Sequence, residues 1–225
     1  MSQGKLIAQG AEAKIFLDEK NNLITKERVS KSYRIKEIDS KIIKQRTKAE
    51  TKLLSKVSEI VNAPKPIDSK EINKIIMPFI EGKKLSEYLD DFSLAEQKKI
   101  CKQIGESVAK IHGADIIHGD LTTSNMILIN SNSERSEPVG GRVGKSPVYK
   151  KFKIFFIDFG LGYISQKVED KAVDLHLLKQ ALEAKHFKNW EILFKEFCKG
   201  YEKNTEHKKV FERLTAVERR GRYRH

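Results

Sequence analysis

Over the first 35 residues, apolar and polar positions alternate in short stretches broken by turn residues, the period-two pattern of half-buried strands. Leu6–Gln9 and Ala13–Leu17 flank a turn at Gly10-Ala11-Glu12, Asp18–Asn22 reads as a polar turn, and Leu23–Val29 is a third strand. The period then lengthens. Ile35, Ile38, Ile42, Ala49, Leu53, Val57 and Ile60 recur at helical spacing and predict one long, otherwise basic helix with a single buried stripe, closed by Pro64 and Pro66. Ile72–Ile80 predicts a buried strand, and Glu81-Gly82-Lys83 a linker. Ser93-Leu94-Ala95-Glu96 matches the S-x-x-E capping box and opens a helix carrying Leu94, Ile100, Cys101, Ile104, Val108 and Ile111 up to Gly113. Ile116-Ile117 and Met126–Ile129 predict short strands, and two or three further helices follow from Ala172 to Arg219. Stripes such as Trp190, Leu193, Phe194, Phe197 and Tyr201 read as core packing.

Asn130–Lys151 breaks this order, being rich in Ser, Asn, Gly, Pro and basic residues without an apolar period. It predicts a flexible insertion. Residues 1–80 thus form one expected unit, strand-rich with one long helix, and residues 81–218 a second, mainly helical one. Residues 219–225 form a basic tail.

Two motifs beside strand-like runs carry the candidate chemistry. Ile117-His118-Gly119-Asp120-Leu121-Thr122-Thr123-Ser124-Asn125 is followed by Phe156-Ile157-Asp158-Phe159-Gly160. This order places two carboxylates and a carboxamide at the spacing by which kinase-type folds hold Mg-ATP. Asn125 and Asp158 offer hard oxygen ligands to Mg2+, and Asp120 stands as the base that accepts a hydrogen bond from an attacking hydroxyl or water. Turn capping is the plainer alternative for Asp120 and Asn125.

Phosphoryl transfer is mostly positioning and charge neutralisation, so a lysine on the third strand and a glutamate on the long helix are expected. Lys26 and Glu50 are that pair, with Lys31 and Glu37 as competitors in a region crowded with charge. Gln9-Gly10-Ala11-Glu12-Ala13 stands where a glycine-rich loop would cover the phosphates, with a single glycine instead of G-x-G-x-x-G. Met77 and Ile80, on the strand before the linker, complete the ATP-binding set. Gly119 replaces the arginine of H-R-D, which normally pairs with a phosphorylated activation loop, and no A-P-E follows Gly160. The site therefore reads as constitutively formed.

Taken together, these segments resemble the small atypical serine/threonine kinase subunit of the KEOPS (EKC) complex of archaea and eukaryotes. Gln9–Ala13, Lys31–Arg34, Arg46-Thr47 leading into Glu50, His118–Asn125, Asp158–Gly162, Glu169–Leu175 and Glu218–Arg222 carry the resemblance over nearly the whole chain. It implies an α+β, minimal two-lobed protein-kinase-like fold, with a small β-rich N-lobe and a mainly helical C-lobe. It also implies a kinase or ATPase using ATP and Mg2+ in support of threonylcarbamoyladenosine modification of tRNA. The implied partners are the threonylcarbamoyl-transferase subunit, a small helical regulatory subunit and tRNA. Asp174 is implied to brace the catalytic loop, with an ordinary helix cap as the alternative. Ala172 departs from the family's usual glycine, and the insertion at 130–151 is longer than the resemblance explains.

Composition changes this picture in one respect. The formal charge is +13 over 225 residues, clustered at Lys26–Lys56 and at Arg219-Arg220-Gly221-Arg222-Tyr223-Arg224-His225. Such clusters suit a polyanionic partner. Arg219, Arg220, Arg222 and Arg224, with the basic N-lobe helix, are the expected tRNA contacts. No apolar run approaches the ~20 residues of a membrane span, and Met1–Leu6 lacks a signal-peptide core. A cytoplasmic protein is expected, nuclear also if the source is eukaryotic. Cys101 and Cys198 read as isolated buried thiols.

Three other readings compete. A free-standing Rio-type kinase shares H-G-D-L, but Rio-type loops usually carry an acidic residue and Tyr where Thr123-Ser124 stand. A small-molecule phosphotransferase would want a larger, acidic C-lobe. A scaffold that keeps nucleotide binding without turnover is the non-enzymatic alternative.

Overall fold

The computed structural model describes residues 4–69, 71–130 and 152–222. Apart from Asn130, which ends a strand, the expected insertion Asn130–Lys151 lies outside the described residues, as do Tyr223–His225.

The N-terminal part is a four-stranded antiparallel sheet of β1 (Lys5–Gln9), β2 (Ala13–Asp18), β3 (Leu23–Arg28) and β4 (Lys74–Pro78), in that order. Between β3 and β4 runs the long helix α1 (Lys36–Ser58). Register decides what the sheet presents. Ala13, Ile15 and Leu17 lie opposite Arg28, Lys26 and Ile24, and Ile75 and Met77 lie opposite Lys26 and Ile24. Because strand side chains alternate with period two, these eight residues share one face. Lys26 therefore stands on a largely apolar surface, flanked by Ile15 and Ile75.

The stripe expected on α1 is only half realised. Leu53, Leu54 and Val57 enter the core, but Ile35 and Ile38 are 65% and 53% exposed and Ala49 is exposed. The buried positions upstream are Asp39, Thr47 and Glu50. The cause is electrostatic. Asp39 accepts from Ser30 Oγ at 2.6 Å, from the Lys31 amide at 3.1 Å and from Arg34 at 3.1 Å, while Glu50 meets two cations of β3. Similarly, the strand expected over Ile72–Ile80 shrinks to Lys74–Pro78, with Ile72 53% exposed.

The second part starts with β5 (Lys83–Lys84) and the short α2 (Leu85–Tyr88). The capping box at Ser93 and Glu96 opens α3 (Leu94–Gly113). Next come β6 (Ile116–Ile117), β7 (Met126–Asn130), β8 (Phe152–Phe156) and β9 (Tyr163–Ile164). The strands form a three-stranded sheet, β5-β7-β8, and a two-stranded one, β6-β9. Helices α4 (Val168–Lys185), α5 (Trp190–Tyr201) and α6 (His207–Arg222) close the chain. The expected tail therefore starts as helix, with Arg219 to Arg222 belonging to α6. No described helix is long and apolar enough to cross a membrane. Cys101 is buried and Cys198 half-buried, both free, and burial pushes both thiols up to about 12.

Helices α3 and α5 form the densest packing of the second part, and they meet through glycine. A Cβ at Gly105 would strike the Phe197 carbonyl, and one at Gly200 would strike the Lys102 carbonyl. Two facing glycines let the backbones touch, which seats Phe197 and Tyr201, both fully buried, in the core. Helix propensity alone favours Gly→Ala by about 1 kcal/mol. Here the obstacle is rigid helix backbone, so overpacking of about 1–3 kcal/mol or more wins. Gly105→Ala and Gly200→Ala should each lower Tm by several degrees in a thermal melt; an unchanged or raised Tm would mean that the helices separate without cost.

Candidate active site

Strand β3, helix α1 and the residues after β8 deliver three charges to one point. Lys26 Nζ lies 2.6 Å from Glu50 Oε1 and 2.7 Å from Asp158 Oδ1. Lys26 and Glu50 are almost fully buried, whereas the Asp158 side chain is 52% exposed. Burial alone would depress the lysine pKa, but the charges of Glu50 and Asp158 outweigh it and raise the value above ordinary. Burial likewise works against the Asp158 carboxylate, and the Lys26 charge, its hydrogen bond and the Gly160 amide outweigh that, holding the pKa low. Both groups stay ionised across the neutral range. Of the sequence competitors, Lys31 donates to the Ala11 carbonyl and Glu37 is exposed in the first turn of α1.

Glu50 has a second cation that sequence reasoning missed. Arg28 Nη2 lies 2.5 Å from Glu50 Oε2, and Arg28 Nη1 lies 3.3 Å from Glu12. Arg46 on α1 holds the same Glu12 at 2.6 and 2.8 Å. Arg28 stands two positions after Lys26, so strand periodicity already placed it on the same face. A continuous run of opposite charges thus links Asp158, Lys26, Glu50, Arg28, Glu12 and Arg46. Of the other expected nucleotide contacts, Ala13 is buried, and Met77, half-buried, shares the Lys26 face. Ile80, also half-buried, follows β4 in the connection to β5.

The loop between β6 and β7 places the other expected residues. The Asn125 side-chain amide donates to the Asp120 carboxylate at 2.8 Å and to its carbonyl at 2.9 Å. That spends both N–H donors on Asp120 and leaves the amide oxygen as an acceptor. The Asn125 carbonyl accepts from Ile157, tying the loop to the residue before Asp158. Asp158 adopts φ 60°, a left-handed conformation that aspartate tolerates better than most residues.

Asp174 of α4 is the brace. Its carboxylate accepts from the His118 amide at 2.6 Å and the Gly119 amide at 2.9 Å, from mid-helix rather than from a cap position. Behind it, His112 Nε2 lies 3.3 Å from Asp174, and His112 Nδ1 lies 2.9 Å from the Tyr201 hydroxyl. From the C-cap of α4, His186 reaches Thr123 Oγ1 at 3.3 Å and Asp90 at 3.0 Å. No sequence signal gave His112, Tyr201 or His186 a place at the site; Tyr201 reads as core packing alone. Gly119 has φ 79°, and a Cβ there would collide with the Leu161 carbonyl. An arginine at this position would be excluded by that close approach, a steric reason that supplements the missing phosphoswitch.

The donor set fits Mg-ATP. Mg2+ binds through one or two protein carboxylates together with phosphates and water, and the half-exposed Asp158 carboxylate with an Asn125 amide oxygen not spent on Asp120 offers donors of that type. Among the described residues, no group of three or more His, Cys, Asp or Glu offers an all-protein metal cage.

The expected tRNA contacts lie on another element. Arg219 and Arg220 are exposed at the end of α6, and Arg220 is paired with Glu169 of α4 at 2.5 Å, beside Arg213 at 2.9 Å. The side chain of Arg222 and all of Arg224 lie outside the described residues.

Proteins of similar sequence and fold show the family to which the chain belongs. The RIO domain model matches residues 11–133. The KEOPS complex subunit Bud32 of Pyrococcus abyssi is 42% identical, over 98% of this chain and 96% of that protein. A probable serine/threonine-protein kinase, the BUD32 homolog of Archaeoglobus fulgidus, is 35% identical over 95% of this chain and 94% of its own length. A probable bifunctional tRNA threonylcarbamoyladenosine biosynthesis protein of Methanobrevibacter smithii is 42% identical, but the chain spans only 37% of it. Among solved structures, the Rio2 kinase of Chaetomium thermophilum with ADP/Mg2+ and phosphoaspartate superposes with a TM-score of 0.59 at 17% identity, covering 98% of this chain and 71% of that one. At that identity the likeness shows the fold alone, a two-lobed kinase-like α+β fold. Rio-type and KEOPS-type readings therefore share a domain, and the 42% relative separates them.

His118 provides a pH test of the site's packing. Its ring is buried, with Nε2 3.2 Å from the Ile157 carbonyl and Nδ1 3.3 Å from the Asp120 amide, partners that suit a neutral ring protonated at Nε2. Burial, the largest influence, pushes its pKa below the ordinary histidine value against the pull of Asp174, Asp120 and Asp158. The unfolded chain takes up this proton near pH ~6.5, the folded protein only at lower pH. Stability from His118 is therefore present above pH ~6.5 and lost as pH falls through the folded pKa, by up to about 1.4 kcal/mol per unit. Urea titrations at about pH 7 and pH 5.5 should show His118→Gln losing less stability than the parent protein on acidification. Equal losses would place the acid sensitivity elsewhere.

Proposed function

The chain belongs to the Bud32 family and carries a RIO domain, and on that premise we propose that it is the Mg-ATP-dependent subunit of a KEOPS-type assembly supporting threonylcarbamoyladenosine modification of tRNA. By family it is an atypical serine/threonine kinase. The observation that most supports turnover over passive binding is the charge set at Lys26, where lysine, glutamate and the metal-side aspartate already meet. Residues 1–80 form the N-lobe in this reading and residues 81–218 the C-lobe.

Each residue has a physical task. Bound magnesium supplies neutralisation of phosphate charge, and Asp158 with the Asn125 amide oxygen would hold it. Lys26, kept charged and aimed by Glu50, contacts the nucleotide phosphates. The turn Gln9–Ala13 covers them with backbone N–H groups, and Met77 and Ile80 line the adenine side. Asp120, its carboxylate fixed by Asn125, accepts a hydrogen bond from the attacking water or hydroxyl and orients it. The brace from Asp174 keeps that loop in place before any ligand arrives, so no activating phosphorylation is required.

The same reading assigns partners. The transferase subunit and a small helical regulatory subunit assemble with the chain in the cytoplasm. Phosphates of tRNA are met by the arginines of α6 and the residues after it, and by the exposed lysines of α1, namely Lys36, Lys41, Lys44, Lys48, Lys52 and Lys56. Such contacts position nucleic acid without reading its bases.

In the reconstituted complex, Asp158→Ala should lower ATP turnover by about 100-fold or more and depress tRNA modification with it. If modification proceeds unchanged, the catalytic role is lost and a nucleotide-binding scaffold takes its place. Replacing Arg219, Arg222 and Arg224 by glutamine, while keeping the Arg220–Glu169 pair, should flatten the salt dependence of tRNA binding by a log–log slope of up to about three. An unaltered slope would move the phosphate contacts to α1 or to another subunit.

A further inference from the structure

The turn between β1 and β2 is held unusually firmly for one that must admit phosphates. The Gly10 amide donates to the Ala13 carbonyl at 2.9 Å, and the Val29 amide donates to the Glu12 carbonyl at 3.0 Å. Lys31 Nζ donates to the Ala11 carbonyl. The Glu12 carboxylate is gripped by Arg46 at 2.6 and 2.8 Å and by Arg28 at 3.3 Å. The turn has one glycine, and a Cβ at Gly10 would find only ordinary contact, the Ala13 carbonyl at 3.8 Å. Backbone freedom is thus not what shapes it.

Four cations, Arg28, Lys31, Arg34 and Arg46, line the space around this one carboxylate. An external anion could in principle claim them. The space left between the side chains is about 10 Å³, room for one water at most. Glu12 therefore fills the cationic ring, and no phosphate fits beside it. The Arg46 hydrogen bond, against burial and with the nearby arginine charges, holds the Glu12 pKa below ordinary, so the carboxylate is ionised at neutral pH.

We infer that Glu12, clamped by Arg28 and Arg46, is a positioning residue that fixes the β1–β2 turn over the nucleotide's phosphates, replacing the glycine-rich loop with an ion-pair latch. Arg28 also holds Glu50, which holds Lys26. The latch therefore sets the turn and the phosphate-facing lysine relative to each other through one buried guanidinium. It also reassigns Glu12: the side chain points its charge at the protein, and only the turn's backbone is offered to phosphate. This inference rests on the reading of the cleft as a Mg-ATP site.

The test uses the full chain and compares phosphate-bearing with phosphate-free ligands. Glu12 and Arg46 side chains are 45% and 43% exposed, so the pair contributes little to global stability and the variants fold. Glu12→Gln and Arg46→Met should each weaken Mg-ATP and Mg-ADP about 5- to 10-fold with adenosine affinity unchanged. Arg46→Lys should recover part of the loss. The Glu12→Gln/Arg46→Met double variant should be no weaker than either single, as expected for one shared interaction. The latch is overturned if the nucleotides bind as to the parent, if adenosine weakens equally, or if the two losses add. Asp158→Ala separates the two claims. Mg-ATP binding that survives Asp158→Ala sinks the site reading itself, whereas its loss there, with Glu12→Gln unaffected, sinks only the latch.

Discussion

Glu50 is the constraint on which the N-terminal half depends. An isolated carboxylate cannot be buried at tolerable cost, and it survives in a protein interior only when paired and hydrogen-bonded. Glu50 is 3% exposed and meets Lys26 and Arg28 within hydrogen-bond distance. Those two cations stand on the same face of β3, so the helix cannot slide or rotate against the sheet without stranding a buried charge. Removing one partner of such a group costs about 3–5 kcal/mol, comparable with truncating a buried leucine of α1, about 2–5 kcal/mol. The helix is therefore positioned by charge at its middle and by Leu53, Leu54 and Val57 at its C-terminal end.

Asp174 plays the corresponding part in the C-terminal half. One carboxylate satisfies the amides of His118 and Gly119, and a histidine and a tyrosine from α3 and α5 stand behind it. The crossing of α3 and α5 at Gly105 and Gly200 is what brings Tyr201 within reach. Core packing and site geometry are thus the same interaction seen from two sides. The loop that carries Asp120 and Asn125 is preorganised by the helical core, and the lysine and glutamate above it are preorganised by the sheet and α1. Preorganised charge in a partly dry site is the main resource of phosphoryl-transfer chemistry.

Much of this was legible along the chain, because the relevant signals are local. Asp120, Asn125 and Asp158 lie in short motifs beside strands, and the structure brings Asn125 onto Asp120 and Lys26 onto Asp158. Lys26 and Glu50 follow from their order among the elements, and they meet at 2.6 Å. Local pattern misled where long-range charge took over. The expected stripe ran through Ala49, whereas the buried face runs through Glu50. Ile35 and Ile38 fall on the expected core stripe, yet Asp39 is buried in their stead because Ser30, the Lys31 amide and Arg34 satisfy it. The expected basic tail begins at Arg219, yet the helix continues to Arg222 with Arg220 paired to Glu169.

The sequence by itself determined the main strands and helices and their order, and singled out the side chains proposed to meet metal and phosphates, since helix period, strand alternation and motif spacing need only neighbours. The short β5, α2 and β9, with β5 beginning on the expected linker residue Lys83, left no such signal. Beyond the Lys26–Glu50 pair, tertiary structure alone decided the partners of the buried charges. It paired Arg28 with both Glu50 and Glu12, set His112 and Tyr201 behind Asp174, and pressed Leu161 against Gly119. Each of these joins residues far apart in the chain. Their identity follows from which charges are dehydrated together, and dehydration is a property of the packed molecule.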